Sequence, residues 1–280
     1  MRLRISHETT LTFETPVHYA VQAVRMTPRG SSQQFVNDWR IDVSADCRLA
    51  PIEDPYGNWT HTISVDGPLT ELSVVASGEI MTEETNGIIR GTPERLPLSV
   101  YLRQTELTSA TPDVTRFAAS VHDRCHGDAL STMHQLMAAI HEAVEPGEDR
   151  CAPPQKVKDA LETGKGTALD RAHLFVAAAR ELAIPARYVS GYVLKPGSDE
   201  PCACIHSWAE AFISGNLGWI GFDPTGNICP TDHHVRLATG LDYLDALPIR
   251  AAGQGGYRPE MAVAITVREV TSRRKREIIE

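Results

Sequence analysis

Apolar and polar residues alternate with a period of two through most of residues 1–95. Alternation over short runs is typical of half-buried β-strands, and clusters of Pro, Gly and Asp at residues 27–30, 54–58 and 66–68 mark turns between them. Several short strands with regular turns predict an N-terminal β-sandwich. The apolar positions of these strands are Leu3, Ile5, Leu11, Phe13, Ile41, Val43, Trp59, Ile63, Val65, Leu72, Val74 and Ala76.

The period changes to that of a helix after a proline-containing stretch at residues 93–113. Apolar side chains recur at helical spacing over residues 114–121 and again over 130–144. A short helix is expected to end near Gly164, because glycine is favoured just after a helix C-terminus. The alanine- and leucine-rich segment 168–183 predicts a further helix.

Strand-like runs return after these helices, at residues 186–194, 203–213, 218–223 and 261–267. The combination predicts an α+β fold. The chain divides into a β-domain, a core of helices and strands, and a C-terminal strand with a charged tail, at residues 1–100, 101–255 and 256–280. The pattern leaves open which of the two domains the last strand joins.

The charge balance narrows the class of partner. The 280 residues carry 27 basic and 36 acidic side chains, which gives a net charge of −9. Such a chain argues against a dedicated binder of nucleic acid or of anionic membranes, because both require an excess of Lys and Arg. We interpret the basic run within residues 271–280 as a solvated terminus.

The cytoplasm is the expected compartment. No apolar run approaches the roughly 20 residues that a membrane-spanning helix needs, and residues 1–13 lack the apolar centre of a secretory signal. The six cysteines should then be reduced thiols, since their spacings do not resemble a disulfide framework. The sequence makes no prediction of the oligomeric state.

One His and one Asp are expected to meet on neighbouring strands. His206 shares a strand face with Trp208. A turn near residues 215–216 folds the next strand back, which places Asp223 opposite residues 207–209 and within reach of His206. A carboxylate beside an imidazole fixes its tautomer and stabilises its charged form, as in a general base with its orienting group. The same pair is equally compatible with a structural contact.

Three segments in a fixed order carry a family resemblance: GTALDRAHLFVAAARELAIPARYVSGY, HSWAEAFI and GWIGFDPT. Over roughly residues 150–250 the chain resembles the transglutaminase-like superfamily of papain-fold thiol enzymes. Residues 1–95 resemble the β-rich N-terminal domain of its bacterial members. The resemblance implies a central helix packed on an antiparallel sheet. It also implies a catalytic Cys at the start of that helix, a His on the following strand and an Asp before Pro-Thr.

Carried over to this sequence, the resemblance makes His206 the base, Asp223 its orienting group and Ala168 the nucleophile position. The implied parent activity is thiol-dependent hydrolysis of an amide bond in a peptide, an isopeptide or a small amide. Acyl transfer to an amine is the alternative. No cofactor and no metal are implied, and the expected partner is an amide-containing substrate.

Alanine cannot attack a carbonyl, so no acyl-thioester forms at position 168. The chain is then either an inactive Cys-to-Ala variant of an enzyme or a natural pseudoenzyme that binds substrate without cutting it. We favour the variant, because His206 and Asp223 are both retained and a binding module has no chemical need for an oriented base.

Five further residues near these motifs are candidates for a role in the site or in the core. Asp170 either contacts substrate or caps the helix, where a carboxylate is favoured. Tyr192 is a candidate for the cleft wall, and Trp208 either packs over the site or covers the core. His173 is expected to be a packed structural residue, about 140° around the helix from the nucleophile position. Thr167 adjoins that position, but its hydroxyl should point away if the helix begins at the next residue.

A metal site is a further hypothesis for this part of the chain. Cys202, Cys204 and His206 alternate along one predicted strand, so their side chains would share a face. Three more possible ligands follow in the sequence, namely Cys229, His233 and His234. The C-x-C-x-H spacing is unusual for zinc, so we interpret Cys202 and Cys204 as small buried thiols.

Overall fold

The computed structural model describes residues 1–125, 128–147, 151–195, 197, 200–252 and 259–270. Its strands are β1 (Arg2–Thr27), β2 (Gln34–Val43), β3 (Ala50–Glu53), β4 (Trp59–Thr82), β5 (Ile88–Ile89), β6 (Glu145–Pro146), β7 (Lys165–Gly166), β8 (Ala186–Val193), β9 (His206–Ile213), β10 (Gly218–Phe222), β11 (His234–Gly240), β12 (Ile249–Ala252) and β13 (Glu260–Glu269). Its helices are α1 (Pro112–His122), α2 (Ala129–Ala143), α3 (Val157–Thr163) and α4 (Ala168–Glu181), with 3₁₀ turns at Leu98–Leu102 and Asp123–Cys125. Within these ranges no helix combines the length and the apolar character needed to cross a membrane.

The N-terminal sheet is built around two long antiparallel strands, β1 and β4. Its hydrogen-bonded order is β12-β1-β4-β2, with β13 also on β1 and β3 also on β4. The register breaks between Thr12 and Val17, where the long strands bend, and the two halves of the curled sheet pack against each other. The predicted α+β fold is confirmed, and the two layers of its sandwich are halves of one sheet. Their shared core contains Leu11, Val24, Met26, Ile63, Val65, Leu72, Val74, Ala76 and Ile249.

Both C-terminal strands join this N-terminal sheet. β13 pairs with the first part of β1, with Leu3 opposite Glu269, and β12 pairs with the later part, with Val21 opposite Ala252. The last strand therefore belongs to the β-domain; the sequence pattern left open which of the two domains it joins. β12 was not predicted as a strand, and it also joins this sheet although it lies within residues 101–255, the range expected to form the core. The basic run within 271–280 lies outside the described residues.

The second sheet is antiparallel and supports the central helix. Its order is β11-β8-β9-β10-β5, so the short β5 reaches it from the N-terminal part of the chain. Strands β8 and β9 contact α4, which α1, α2 and α3 also cover. The alanines that predicted this helix, Ala172, Ala177, Ala178 and Ala179, are fully buried and allow these neighbours to approach closely. This arrangement is the helix-on-sheet core that the resemblance implied.

The observed start of the central helix matches the predicted one, whereas the observed start of the strand expected from residue 203 does not. α4 begins at Ala168, as predicted, whereas the strand expected from residue 203 begins only at His206. The preceding residues leave the sheet because Cys202 forms an isolated bridge with Ile265 of β13. The expectation that Cys202, Cys204 and His206 alternate along one strand was therefore wrong.

Candidate active site

The start of α4, the start of β9 and the residue after β10 meet at a cavity of about 870 Å³. Ala168, His206 and Asp223 all line this cavity. The structure thus brings together the three residues that the resemblance assigned to catalysis. Each lies at the end of an element, where a rigid backbone holds its side chain at the cavity wall.

The N-terminus of α4 is closed by a capping box. The Thr167 hydroxyl accepts a hydrogen bond from the Asp170 backbone N–H at 3.2 Å, and Asp170 Oδ2 accepts from the Thr167 backbone N–H at 2.8 Å. Oδ1 of Asp170 accepts from the Gln155 backbone N–H at 2.9 Å. Asp170 is buried and is not among the cavity-lining residues, so the structure places it in the cap.

The Thr167 hydroxyl makes both of its hydrogen bonds within this cap, because it also donates to Asp170 Oδ2 at 2.9 Å. Ala168 follows as the first helical residue, so its methyl group lies at the positive end of the helix dipole. A thiol at this place would be shifted toward its thiolate form, especially beside an imidazolium. The geometry therefore favours a nucleophile at position 168 and not at 167.

His206 and Asp223 form the contact expected from their strands. Nε2–H of His206 donates to Asp223 Oδ2 at 2.7 Å, which leaves Nδ1 of the neutral ring as the acceptor. Oδ1 of Asp223 accepts from the Thr225 backbone N–H at 2.9 Å. Burial alone would raise the pKa of Asp223, but the charge and hydrogen bond of His206, aided by His234, hold that pKa well below its usual range. Asp223 is therefore a carboxylate that orients His206.

His234 is a second donor to the same carboxylate, a role that sequence reasoning missed. Its Nδ1 accepts from the Thr231 backbone N–H at 3.1 Å, so its Nε2–H points to Asp223 Oδ2 at 3.4 Å. Ligand atoms of His206, Asp223 and His234 lie within 4.8 Å of one another, close enough for a metal ion. Both imidazoles give their Nε2 proton to the carboxylate, however, so the trio is already satisfied as a hydrogen-bond network.

Trp208 lies behind this network and does not line the cavity. Its ring is 1% exposed and packs at 6.1 Å between centroids from His206 and at 5.6 Å, edge to face, from His234. Gly191 makes room for it, since a Cβ there would lie 2.3 Å from the indole. Trp208 therefore supports both imidazoles from the side opposite to the cavity.

Tyr192 does line the cavity, and it also joins the core to the β-domain. Its hydroxyl lies 3.0 Å from His7 Nδ1, and its ring meets the His7 ring edge to face. Burial lowers the pKa of His7 to about 4, so this imidazole is neutral near pH 7. The hydroxyl of Tyr192 is thus held by β1 of the other domain.

His173 is a packed structural residue, as expected. Its Nε2 accepts a hydrogen bond from the Tyr243 backbone N–H at 3.0 Å, and its side chain is fully buried. Burial, helped by the charge of Arg180, lowers the pKa of His173 to about 3. A neutral ring with its acceptor nitrogen occupied cannot serve as the base of the cavity.

Arg171 is a cavity-lining cation that sequence reasoning missed. The side chain is 2% exposed, and its Nη1 donates to the Thr225 carbonyl at 3.4 Å. Its Nε has no hydrogen-bond partner among the described residues. Burial lowers the pKa of Arg171, against the opposing charge of Asp223. Arg171 is one of several charged residues of α4, so nothing in the sequence singled it out.

Cys151, Cys202 and Cys204 border the same cavity, whereas Cys229 and His233 do not. The six candidate metal ligands named from the sequence are therefore not brought together as one group. All six cysteines of the protein lie in the described ranges, where no disulfide joins them, and their reduced state stays a prediction.

Comparisons with known proteins match both parts of the chain. Residues 3–81 match the family model of the bacterial transglutaminase-like N-terminal region, and residues 115–224 match that of the transglutaminase-like superfamily. The uncharacterized protein ML0607 of Mycobacterium leprae (strain TN) is 28% identical over 284 residues, covering 95% of this chain and 98% of that protein. The uncharacterized protein Rv2569c of Mycobacterium tuberculosis (strain ATCC 25618 / H37Rv) is 22% identical over 275 residues, covering 89% and 86%.

One solved structure shares the fold over nearly the whole chain. It is described as a putative cysteine protease from Cytophaga hutchinsonii and aligns with a TM-score of 0.70 and 19% sequence identity. The alignment covers 97% of this chain and 92% of that one. The β-domain and the helix-on-sheet core therefore occur together in that protein as well.

Proposed function

The chain belongs to the transglutaminase-like superfamily, and from this premise we propose that its cavity binds the acyl donor of a thiol-dependent amide hydrolase. The observation that carries the proposal is the placement of Ala168, at the N-terminus of α4, on the same cavity as the His206–Asp223 pair. The substrate is a peptide, an isopeptide or a small amide. Transfer of the acyl group to an amine is the alternative outcome of the same intermediate.

With a cysteine at position 168, the reaction has two stages. The thiolate forms a C–S bond with the amide carbonyl carbon, and protonated His206 gives its proton to the leaving nitrogen as the C–N bond breaks. Water then attacks the thioester while His206 takes a proton from it, and the thiolate leaves. Asp223 keeps the ring oriented and stabilises its charged form throughout. Backbone N–H groups at the start of α4 stabilise the oxyanion.

The present chain lacks the atom that forms the C–S bond. Its cavity retains the base, the orienting carboxylate and the Arg171 guanidinium, whose Nε–H has no partner within the part of the chain that the structure describes. We therefore expect the chain to bind an amide substrate and release it unchanged. This expectation is the same for a Cys-to-Ala variant and for a natural pseudoenzyme.

The test restores the thiol and measures its ionisation. Ala168→Cys is compared with Ala129→Cys, because Ala129 is also partly buried and is also the first residue of a capped helix, α2. Alkylation at each introduced thiol is followed by peptide mass spectrometry across pH. The pH at which alkylation reaches half its maximal rate should be at least about one unit lower for Ala168→Cys than for Ala129→Cys. The reason is that a nearby imidazolium lowers the pKa of a thiol further than the helix dipole alone does.

Adding His206→Ala to Ala168→Cys should return the profile to that of the α2 control. Ala168→Cys should also acquire hydrolysis of small acyl amides, and the unaltered chain should show none. Identical alkylation profiles for the two helix-start thiols would contradict the proposal, since the imidazole would then have no influence on position 168.

A further inference from the structure

We propose that Arg171 binds a carboxylate of the ligand in the cavity, so that the preferred acyl donor carries a negative charge close to its scissile amide. This inference rests on the proposed function and deepens it by naming a class of substrate. Arg171 lines the cavity together with Ala168 and His206. It is a specificity-determining residue, and the proton transfers and the bond to carbon belong to the groups described above.

Arg171 differs from the other buried arginines in lacking a partner for its charge. Arg187 and Arg236 donate to the carboxylate of Glu210, at 2.6 Å and 2.8 Å. Arg180 makes five hydrogen bonds of 2.8–3.2 Å to oxygen atoms. Within the described residues, Arg171 makes one hydrogen bond of 3.4 Å to a backbone carbonyl and no ion pair, and its Nε has no partner. Because a buried charge is costly unless it is paired, a ligand anion would supply what the protein leaves out.

Two elements place Arg171 beside the reacting atoms. It follows Ala168 by three residues on α4, which is just under one turn and a rise of about 4.5 Å, so both side chains lie on one face of the helix. Its Nη1 donates to the Thr225 carbonyl, and the Thr225 N–H donates to Asp223 Oδ1 at 2.9 Å. One residue thus joins the guanidinium to the carboxylate that orients His206. A carboxylate bound by Arg171 would therefore lie close to the carbonyl that a nucleophile at position 168 attacks.

Asp223 does not take the place of this missing partner. Its Oδ2 accepts from His206 at 2.7 Å and lies 3.4 Å from His234 Nε2, and its Oδ1 accepts from the Thr225 backbone. Both oxygens are therefore used by other donors, and no ion pair between Asp223 and Arg171 occurs in the described part of the chain. The carboxylate stabilises the imidazoles, which leaves the guanidinium for the ligand.

The other charged residues of the cavity wall narrow the kind of anion. Glu145, Glu200 and Lys195 line the cavity as well, and all three are exposed. An anion that enters past two carboxylates and approaches Asp223 is repelled in proportion to its charge, which favours a singly charged group over a phosphate. The planar guanidinium also matches the geometry of a carboxylate, to which it can donate two parallel hydrogen bonds.

The experiment uses two alkylating reagents of similar size on the Ala168→Cys protein. Iodoacetate carries a carboxylate where iodoacetamide carries an uncharged amide, so the ratio of their rates at position 168 measures the preference for an anion. Peptide mass spectrometry follows both rates at a pH at which the introduced thiol is fully ionised. Adding Arg171→Met should lower the ratio about tenfold, because a hydrogen bond to a charged group is stronger than one to a neutral group.

Two further variants separate a contact with Arg171 from a general effect of positive charge. Arg171→Lys keeps the charge without the planar guanidinium and should give an intermediate ratio. Lys195→Met removes an exposed cation of the same cavity and should change the ratio by less than about twofold, because an exposed charge is screened by salt. Circular dichroism confirms the fold of each variant. An unchanged ratio after Arg171→Met, or an equal fall after Lys195→Met, would overturn the proposal.

A second measurement needs no substitution of Arg171 and so does not depend on how those variants fold. Succinamate and succinamide both carry an amide and differ in one end group, a carboxylate in the first and a second amide in the other. Succinamate should protect the thiol at position 168 from iodoacetamide at a concentration about tenfold lower than succinamide requires. Equal protection by the two compounds would overturn the proposal.

Both measurements are independent of the base, because they are made on a fully ionised thiol. An ordinary pH profile of alkylation would therefore contradict the role of His206 in the proposed function and leave the preference for a carboxylate intact. Loss of that preference, with the pH profile still shifted, would contradict the assignment of Arg171 alone.

Discussion

Glu210 lies on β9, the strand that begins at His206, at the centre of a buried ion-pair network. The carboxylate is 0% exposed and accepts from Arg187 Nε at 2.6 Å and from Arg236 Nε at 2.8 Å. The Arg187 guanidinium also lies 3.9 Å from the centre of the Trp219 ring. Glu210→Gln keeps the shape of the side chain but leaves two buried cations around a neutral amide.

The expected loss of stability follows from this burial. Removing one partner of a buried ion pair costs about 3–5 kcal/mol, because the remaining charge is left uncompensated. The matched control is Glu94→Gln, which removes a carboxylate 3.2 Å from the same Arg187 but 37% exposed. An exposed pair contributes about 0–1 kcal/mol. At about 2–4 °C per kcal/mol for a chain of this size, Tm should fall by about 6–20 °C for Glu210→Gln and by at most a few degrees for the control.

Thermal unfolding followed by circular dichroism, repeated in urea, measures both variants against the unaltered chain. The unaltered chain should also lose stability on acidification, since Arg236 and Arg187 lower the pKa of Glu210 despite its burial. A lowered carboxyl pKa contributes stability above its unfolded value and loses it as pH falls. If Glu210→Gln unfolds within a degree or two of Glu94→Gln, the assignment of stability to the buried pair is refuted.

Three further substitutions probe the surroundings of the cavity. Gly191→Ala places a Cβ 2.3 Å from the Trp208 ring, so it should lower the free energy of unfolding in urea by at least about 1–3 kcal/mol and shift the tryptophan emission. Unchanged stability and emission would contradict the packing described. Thr167→Val removes the helix cap and should cost about 1–2 kcal/mol, whereas Thr167→Ser should retain most of it; equal losses would argue against the hydroxyl. Asp223→Asn should make the free energy of unfolding fall less steeply as the pH is lowered below about 4. The lowered pKa of Asp223 contributes stability above that pH, and this contribution is lost as the pH falls. An unchanged dependence of stability on pH in the acid range would rule this out.

Local patterns were sufficient for the elements that carry the site. The alternation of Leu3 and Ile5 identified a buried strand face, and the alanine-rich run after Thr167 identified the central helix with its start. The hairpin register between β9 and β10 placed Asp223 beside His206. Each of these features depends on residues that are near in sequence or separated by one tight turn.

The remaining features depend on pairings between distant segments. His234 reaches Asp223 only because β11 lies next to β8 in the second sheet, and nothing in its neighbourhood along the chain signals this. The strand predicted from residue 203 was cut short by Ile265, a partner more than 60 residues away in sequence. The period of apolar residues predicts which face of a strand is buried, but it does not predict which distant segment pairs with that strand.

The return of β12 and β13 to β1 has a consequence for synthesis of the chain on the ribosome. β1 runs from Arg2 to Thr27, and one of its two edges is covered by segments that end at Glu269. Until those segments emerge, this edge presents unpaired backbone groups to other nascent chains. The N-terminal sheet is therefore translated before the second sheet but completed after it, and a chaperone that shields β1 during elongation would raise the yield of folded protein.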